Sequence, residues 1–387
     1  TAVDQEKIMA IARAARELGI ELFVLDDGWF GQRDNDRSSL GDWVVNRTKL
    51  REGLSGLAKA INGLGMGFGL WVEPEMVSPD SDLYRSHPDW CLHLPERERI
   101  QTRSQLILDL SRLEVCEAIY TMIGEILKSA PITYVKWDMN RNMSDVGSAA
   151  LPPERQRETA HRYMLGLYRL LERLTTEFPE VLFESCSGGG GRFDPGMLYY
   201  MPQTWTSDDT DAVERLKIQY GTSIVYPSVT MGAHVSAVPN HQLGRVTPLE
   251  TRGHAAMSGN FGYELDLTKL TASEGQSIRE QVDVYQGIRR LVQFGDFYRL
   301  LTPFAGDRAA WMFRAKDGSK AVVFYFHILA QPNAPDFRLK LEGLDSKADY
   351  RVEGYERLFG GDELMNVGIP VGELKDFSSL MLRIQRI

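Results

Sequence analysis

Ile132-Thr133-Tyr134-Val135-Lys136-Trp137-Asp138-Met139-Asn140 is the stretch on which the reading of this chain turns. It reads as a short β-strand that ends in charge. Lys136 and Asp138 are two apart, so on a strand they point the same way. A buried face seldom carries two opposite charges unless it opens onto a site. A cation beside a carboxylate lowers that carboxylate's pKa and keeps it ionised. The same two residues read equally as a structural ion pair, and the rest of the chain has to decide.

Working outward, strands and helices alternate for about three quarters of the length. Helices are expected over 5–18, 52–64, 112–129 and 154–178. Strands are expected at Glu21-Leu22-Phe23-Val24-Leu25, Phe68-Gly69-Leu70-Trp71-Val72, Leu106-Ile107-Leu108, the stretch near 132, Val181-Leu182-Phe183-Glu184, Gln203-Thr204-Trp205-Thr206 and Ser223-Ile224-Val225-Tyr226. They are near-continuous apolar runs, as expected when helices cover a parallel sheet. Their ends repeatedly carry acids: Asp26-Asp27, Glu73 and Glu75, Asp109, Asp138, Glu184, Asp208-Asp209. Chemistry at every strand end is the habit of a TIM (β/α)8-type barrel. A doubly wound open sheet would concentrate it at one switch point. The glycine run 188–191 also lacks the Lys-Ser/Thr of a phosphate loop. Seven strands are read where a barrel has eight, and the chain opens on a helix. The first strand is therefore expected upstream of residue 1, or the barrel is assembled otherwise.

After about residue 303 the pattern changes. Trp311-Met312-Phe313-Arg314 and Ala321-Val322-Val323-Phe324-Tyr325-Phe326 flank Lys316-Asp317-Gly318-Ser319, a hairpin signal. Short strands follow at 337–341, 348–353 and 379–386. The expected organisation is an α/β catalytic barrel over 1–303 and a small antiparallel β-sandwich domain over 304–387.

The 387 residues are 43% hydrophobic and 25% charged, the composition of an ordinary globular chain. A net charge of -9 argues against nucleic acid and anionic membrane surfaces as partners. No apolar run reaches the roughly 20 residues of a membrane span, and no secretory signal is read at the start. Cys91, Cys116 and Cys186 cannot all pair and are not spaced as a zinc site, so a reducing, cytoplasmic location is expected.

Among the acids, an ionised, desolvated Asp138 suits the nucleophile of a retaining glycosidase. Ser207-Asp208-Asp209-Thr210-Asp211 crowds three carboxylates at a strand end, which suits a general acid; Asp211 reads equally as the N-cap of a helix beginning near Ala212. Vicinal Asp26 and Asp27 suit sugar hydroxyls, a divalent metal, or simply a turn into Gly28. Trp71 offers a face to a sugar ring or belongs to the core. Arg103 reads as site or as solvated surface. Glu73, Glu75, Asp109 and Glu184 complete a ring of acids, some expected to be ion-paired. Cys186 reads as site or small buried hydrophobe, and Gly188 to Gly191 permit close backbone approach. His234, His241 and His254 are read as structural. These residues alone leave a glycosidase and a metal-dependent barrel enzyme of the enolase kind both open.

Leu25-Asp26-Asp27-Gly28-Trp29-Phe30-Gly31, Leu70-Trp71-Val72-Glu73-Pro74-Glu75-Met76, Val135-Lys136-Trp137-Asp138-Met139-Asn140-Arg141, Cys186-Ser187-Gly188-Gly189-Gly190-Gly191-Arg192 and Trp205-Thr206-Ser207-Asp208-Asp209-Thr210-Asp211, in that order, resemble glycoside hydrolase family 36, the bacterial α-galactosidases of thermophilic Bacillus type. Pro239-Asn240-His241-Gln242 and Ser258-Gly259-Asn260-Phe261-Gly262-Tyr263 resemble it too, so the likeness runs over almost the whole chain.

The resemblance implies a retaining exo-α-galactosidase acting on terminal α-1,6-linked galactose, as in melibiose and raffinose, with no cofactor and no metal. It implies Asp138 as nucleophile and Asp208 as acid/base, with Asp209 the runner-up. It implies Asp26 and Asp27 on the galactose O4 and O6 hydroxyls, and Trp71, Arg103, Lys136, Cys186, Gly188 and Gly189 lining the sugar site. It implies a homo-oligomer, a tetramer. Two departures stand out. The family carries an N-terminal β-sandwich and a first barrel strand that this chain begins after, which leaves an inactive or merely galactoside-binding fragment as the alternative. Ser104 also follows Arg103 where the family often has Asn.

Overall fold

The structure is a computed structural model describing residues 3–95, 97–372 and 374–387. It divides into two compact units, Thr1–Thr204 and Trp205–Ile387.

In the first unit the elements run α1 (Gln5–Glu17), β1 (Leu22–Leu25), α2 (Gly53–Gly63), β2 (Gly67–Val72), β3 (Met76–Val77), α3 (Asp82–Ser86), β4 (Leu106–Ile107), α4 (Leu113–Ser129), β5 (Tyr134–Trp137), α5 (Thr159–Glu177), β6 (Leu182–Ser185), α6 (Pro195–Tyr200) and β7 (Gln203–Trp205), at which the unit ends. Helix α1 starts where the Asp4 carboxylate accepts the Glu6 and Lys7 N–H groups, and it buries Ile8, Ala12 and Ala15 at helical spacing. Strands β1, β2, β5, β6 and β7 pair in parallel in that order. The register sets Leu25 beside Leu70, Trp71 beside Lys136 and Lys136 beside Glu184. The residues just beyond each strand, Asp26, Glu73, Asp138 and Cys186, therefore emerge at one edge of the sheet.

Helices α4 and α5 cover this sheet with apolar stripes, Val115, Ile119, Ile123 and Leu127 on one, Tyr163, Leu167, Leu170 and Leu174 on the other. Gly166 lies in the middle of the α5 stripe. A Cβ there would fall 1.8 Å from the Leu110 carbonyl oxygen and 3.3 Å from Cys116 Sγ, so only glycine lets the helix seat.

The expected strand near 106 is present but does not belong to the parallel sheet. β4 pairs antiparallel with β3, Met76 opposite Ile107, and the Leu108 N–H continues the pairing to Glu75 O. Asp109 is thus not at a parallel strand end. Its carboxylate accepts from Ser111 N–H at 3.0 Å, Ser111 Oγ at 2.5 Å and Ser148 Oγ.

The second unit runs α7 (Ala212–Ser223), β8 (Met231–Ser236), α8 (Leu249–Ala256), β9 (Asn260–Glu264), α9 (Ala272–Phe294), β10 (Asp296–Leu301), β11 (Arg308–Arg314), β12 (Lys320–His327), β13 (Arg338–Leu339), β14 (Asp349–Val352), β15 (Leu358–Gly360), α10 (Gly361–Asn366), β16 (Ile369–Pro370) and β17 (Ser378–Arg386). The strand expected at 223–226 is absent. Ser223 closes α7, the Tyr226 N–H reaches back to Thr222 O, and Ile224 and Val225 stand 64% and 71% exposed. The apolar run reads as a strand, but nothing covers its side chains, and the backbone prolongs the helix instead. The parallel pair in this unit is β8 with β9. Gly232, His234 and Gly262 interrupt those segments and blunt their apolar signal.

The expected hairpin is present between β11 and β12, and the antiparallel order is β10-β11-β12-β17-β14-β15. Alternation divides its side chains. Trp311, Phe313, Phe324 and Phe326 pack with Ile288, Leu291 and Val292 of α9, while Met312, Val323 and Tyr325 pack with Leu339, Tyr350 and Phe359. A sheet buried on both faces is why β11 and β12 are apolar throughout. Among the described residues, no helix is long and apolar enough to cross a membrane.

Two stability measurements check this packing. Gly→Ala in a helix usually stabilises by up to about 1 kcal/mol, but Gly166→Ala is expected to destabilise by roughly 2 kcal/mol through overpacking, read as a lowered urea midpoint. His254, on α8, is buried with Nδ1 2.7 Å from Ser379 Oγ, and burial lowers its pKa from 6.5 to about 4. The unfolded chain therefore binds this proton first. The ring's contribution is complete above pH 6.5 and is lost as pH falls towards 4, on the order of 3 kcal/mol if it acts alone. Thermal melts of His254→Gln are expected to show a shallower loss of Tm from pH 7 to 4.5 than the native chain.

Candidate active site

Nine of the ten sequence-expected site residues lie in the first unit, where the parallel register brings Asp26, Trp71, Lys136, Asp138 and Cys186 to one edge of the sheet; Asp208 lies in the second. Asp138 is the most densely bonded. It is 5% exposed, and its own N–H extends the ladder to Val72 O. Its Oδ1 accepts from Met139 N–H at 2.8 Å and Gly188 N–H at 3.4 Å. Its Oδ2 accepts from Trp71 Nε1 at 3.1 Å and Asn140 Nδ2 at 2.7 Å. At the Cys186 thiol burial, then the Asp138 charge, pushes the pKa up, so the sulfur is held as a thiol rather than a thiolate.

The approach of Gly188 depends on the glycine run. Gly188 and Gly189 have φ of 53° and 87°, in the left-handed region glycine enters without strain. The turn is closed by Ser187 N–H to Gly189 O, and Ser187 Oγ donates to Met139 O beside the carboxylate. Trp71 is 3% exposed and packs beside Phe30, whose ring is nearly parallel to it, and Trp43, whose ring is tilted; its carbonyl accepts Trp29 Nε1.

Lys136 departs from the sequence expectation. Its Nζ makes its ion pair with Asp26, 3.4 Å away at the end of β1. Burial opposes its charge, but Asp26 first, with Glu184 and Asp138 behind it, raises the pKa above its ordinary value. Lys136 thus ties two strand ends together rather than serving Asp138 alone. The neighbouring acids also separate: Asp26 is exposed beside Lys136, whereas Asp27 is gripped by Arg33 through Nε at 3.0 Å and Nη2 at 2.8 Å.

Arg103 is exposed and sits with Ser104 at the corner of a turn closed by Gln105 N–H to Thr102 O. Both corner residues have positive φ, 52° and 57°, which costs each about 1–2 kcal/mol where no glycine is present. The ring of acids resolves into different fates. Glu75 is fully buried and held by Arg192 at 2.7 and 2.8 Å, Tyr163 Oη at 2.6 Å and Trp137 Nε1 at 2.8 Å. Burial alone would raise its pKa, but Arg192 and these donors bring it below the ordinary value. Glu184 is held by Tyr134 Oη at 2.5 Å and Gln203 Nε2 at 3.1 Å.

In the second unit Asp208 is exposed, with Oδ1 accepting from Trp205 Nε1 at 3.0 Å. Asp209 accepts the Asp211 N–H, and Asp211 caps α7 and pairs with Arg245, the capping role the sequence offered for it. The His234 ring lies 4.4 Å from the Trp205 ring, tilted 36° to it. Among the described residues, no group of three or more His, Cys, Asp or Glu side chains is arranged to hold a metal ion.

Two contributors were not singled out from the sequence. Asn140 had a signal, since 136, 138 and 140 share one face at strand spacing. Arg33 had none, because its pairing with Asp27 depends on how the loop after β1 folds back.

Comparison with known proteins bears on the whole arrangement. The family model described as Melibiase matches residues 2–295, and that described as the glycosyl hydrolase family 36 C-terminal domain matches 308–384. Alpha-galactosidase AgaA of Geobacillus stearothermophilus is 67% identical over 99% of this chain and 53% of its own length. Alpha-galactosidase 1 of Pediococcus pentosaceus is 52% identical over 94% of this chain and 50% of its own. The chain thus spans about half the length of the curated relatives it matches. The crystal structure of an AgaA variant in complex with raffinose superimposes with a TM-score of 0.98 at 66% identity, covering 99% of this chain and 54% of that one. This α/β chain with its C-terminal antiparallel sheet belongs to the Melibiase family of glycoside hydrolases, family 36.

Proposed function

We propose that this chain carries the galactose site of a retaining exo-α-galactosidase that hydrolyses terminal α-1,6-linked galactose in melibiose and raffinose-type oligosaccharides. The observation that supports it most is the Asp138 carboxylate, buried at a parallel strand end and addressed by Trp71, Asn140, Met139 and Gly188. The raffinose complex of the Geobacillus relative supports the substrate class.

In this reading Asp138 attacks the anomeric carbon and forms a β-galactosyl ester. Asp208, or failing it Asp209, protonates the leaving oxygen and then draws a proton from the water that hydrolyses the ester. Retention asks for the two carboxyl groups about 5–5.5 Å apart. Asp26 and Asp27 accept from the O4 and O6 hydroxyls, so a substrate with equatorial O4 leaves an acceptor unpaired and is disfavoured. Trp71, Arg103, Lys136, Cys186, Gly188 and Gly189 line the sugar. No cofactor or metal takes part. A cytoplasmic location, a homotetrameric assembly and a functional division at about residue 303 belong to the same proposal; the last is supported by the change from helix-covered strands to an antiparallel sheet.

Asp138→Ala is expected to cut turnover of a nitrophenyl α-galactoside by a factor on the order of 10⁴. Azide is expected to restore it by taking the carboxylate's place and giving the β-galactosyl azide. Unchanged activity in the variant would remove Asp138 from the nucleophile's role. Galactose binding by calorimetry without turnover in the native chain would favour a binding piece. Loss of turnover on EDTA dialysis would favour metal-dependent chemistry.

A further inference from the structure

Glu73 lies at the end of β2, fully buried, one residue beyond the last ladder position. Its Oε1 accepts the Asn140 N–H at 2.5 Å, and its Oε2 lies 3.2 Å from Nε2 of buried Gln105. The Asn140 side chain turns the other way, its Nδ2 donating to Asp138 Oδ2 at 2.7 Å. Asn140 is therefore a bridge between two buried carboxyl groups. Two ionised carboxyls held by one residue would repel each other in a site nearly closed to water.

The leading charged groups acting on Glu73 among the described residues are Asp138, which opposes its ionisation, and Arg103, which favours it from its exposed turn. Burial, and after it Asp138, pushes the Glu73 carboxyl up to about 8. Its neighbour Gln105 fits an acid as well. Gln105 Oε1 is buried and has no hydrogen-bond partner among the described residues. The two ends of an amide exchange by a half-turn, which would set that oxygen to accept a Glu73 O–H.

We propose that Glu73 is a neutral acid that positions Asp138 through Asn140, anchoring the Asn140 backbone while leaving the negative charge of the bridge on Asp138. Its consequence for turnover rests on Asp138 being the nucleophile; its protonation does not. Glu73 touches no reacting atom in this scheme and is a positioning residue. As pH rises through about 8, the proton is lost and a second buried charge appears beside Asp138, so activity is expected to fall along that limb.

The test pairs two variants with two readouts on the native chain. In infrared difference spectra, the native protein is expected to show a carboxylic-acid carbonyl band that disappears on titration near pH 8 and is missing from Glu73→Gln. Glu73→Gln keeps an acceptor for Asn140 and is expected to hold kcat within about threefold while losing the alkaline limb near pH 8. Glu73→Ala frees Asn140 and is expected to lower kcat about 100-fold with KM little changed. The proposal is overturned if the band is absent at pH 7, or if Glu73→Gln is as impaired as Glu73→Ala, since Glu73 would then be needed ionised. A native chain without turnover sinks the galactosidase reading; the infrared titration then still decides the protonation of Glu73.

Discussion

A carboxylate taken out of water has to be given hydrogen-bond donors, and the first unit is arranged around that requirement at Asp138. The donors come from four places: the strand's own continuation at Met139, the next alternate residue Asn140, the adjacent strand at Trp71, and the glycine turn after β6 at Gly188. Each exists only because β2, β5 and β6 run parallel in one register, so that their ends emerge together. A shift of one residue in any pairing would turn Trp71 or Lys136 to the other face. The supporting layers follow the same demand. Trp29 fixes the Trp71 backbone, Ser187 fixes Met139, and α4 and α5 close over the sheet from behind.

Strand-end acids gave the sequence its meaning, and the part of the fold they mark was legible in it. β1, β2, β5 and β6 are each a short, largely apolar run ending in polar residues, the pattern expected of a helix-covered strand. The two misread segments show where that rule fails. Leu106-Ile107 is as apolar as any of them, yet it is fastened to β3 through a turn that no apolar pattern encodes. Ile224-Val225 is apolar and exposed, so composition there does not report burial. β8 and β9 escape notice for the opposite reason: glycines and histidines occupy positions that a lone sequence cannot show to be covered.

The site was legible residue by residue and much less so pair by pair. Alternation along one strand correctly puts Lys136 and Asp138 on one face, but the ion pair goes to Asp26, more than a hundred positions away. Arg33 on Asp27 and Arg192 on Glu75 are likewise choices among distant residues, made by the fold and not by spacing. What local sequence did settle was capping: Asp211 stands before a helical run and caps it.

Glu73-Pro74-Glu75 shows how far apart such choices drive identical groups. Both carboxyls are fully buried, both sit just beyond β2, and desolvation acts on both in the same direction. Glu75 receives a bidentate guanidinium, a phenol and an indole, and its pKa falls below the ordinary value. Glu73 receives amides, with a carboxylate at close quarters and the Arg103 cation out on an exposed turn, and its pKa rises to about 8. Environments that drive two neighbouring acids apart in this way divide their labour. The ionised one, locked to Arg192, Tyr163 and Trp137, ties β5 and α5 to the glycine loop. The neutral one holds the Asn140 backbone, where a second negative charge would stand beside Asp138 on the same residue.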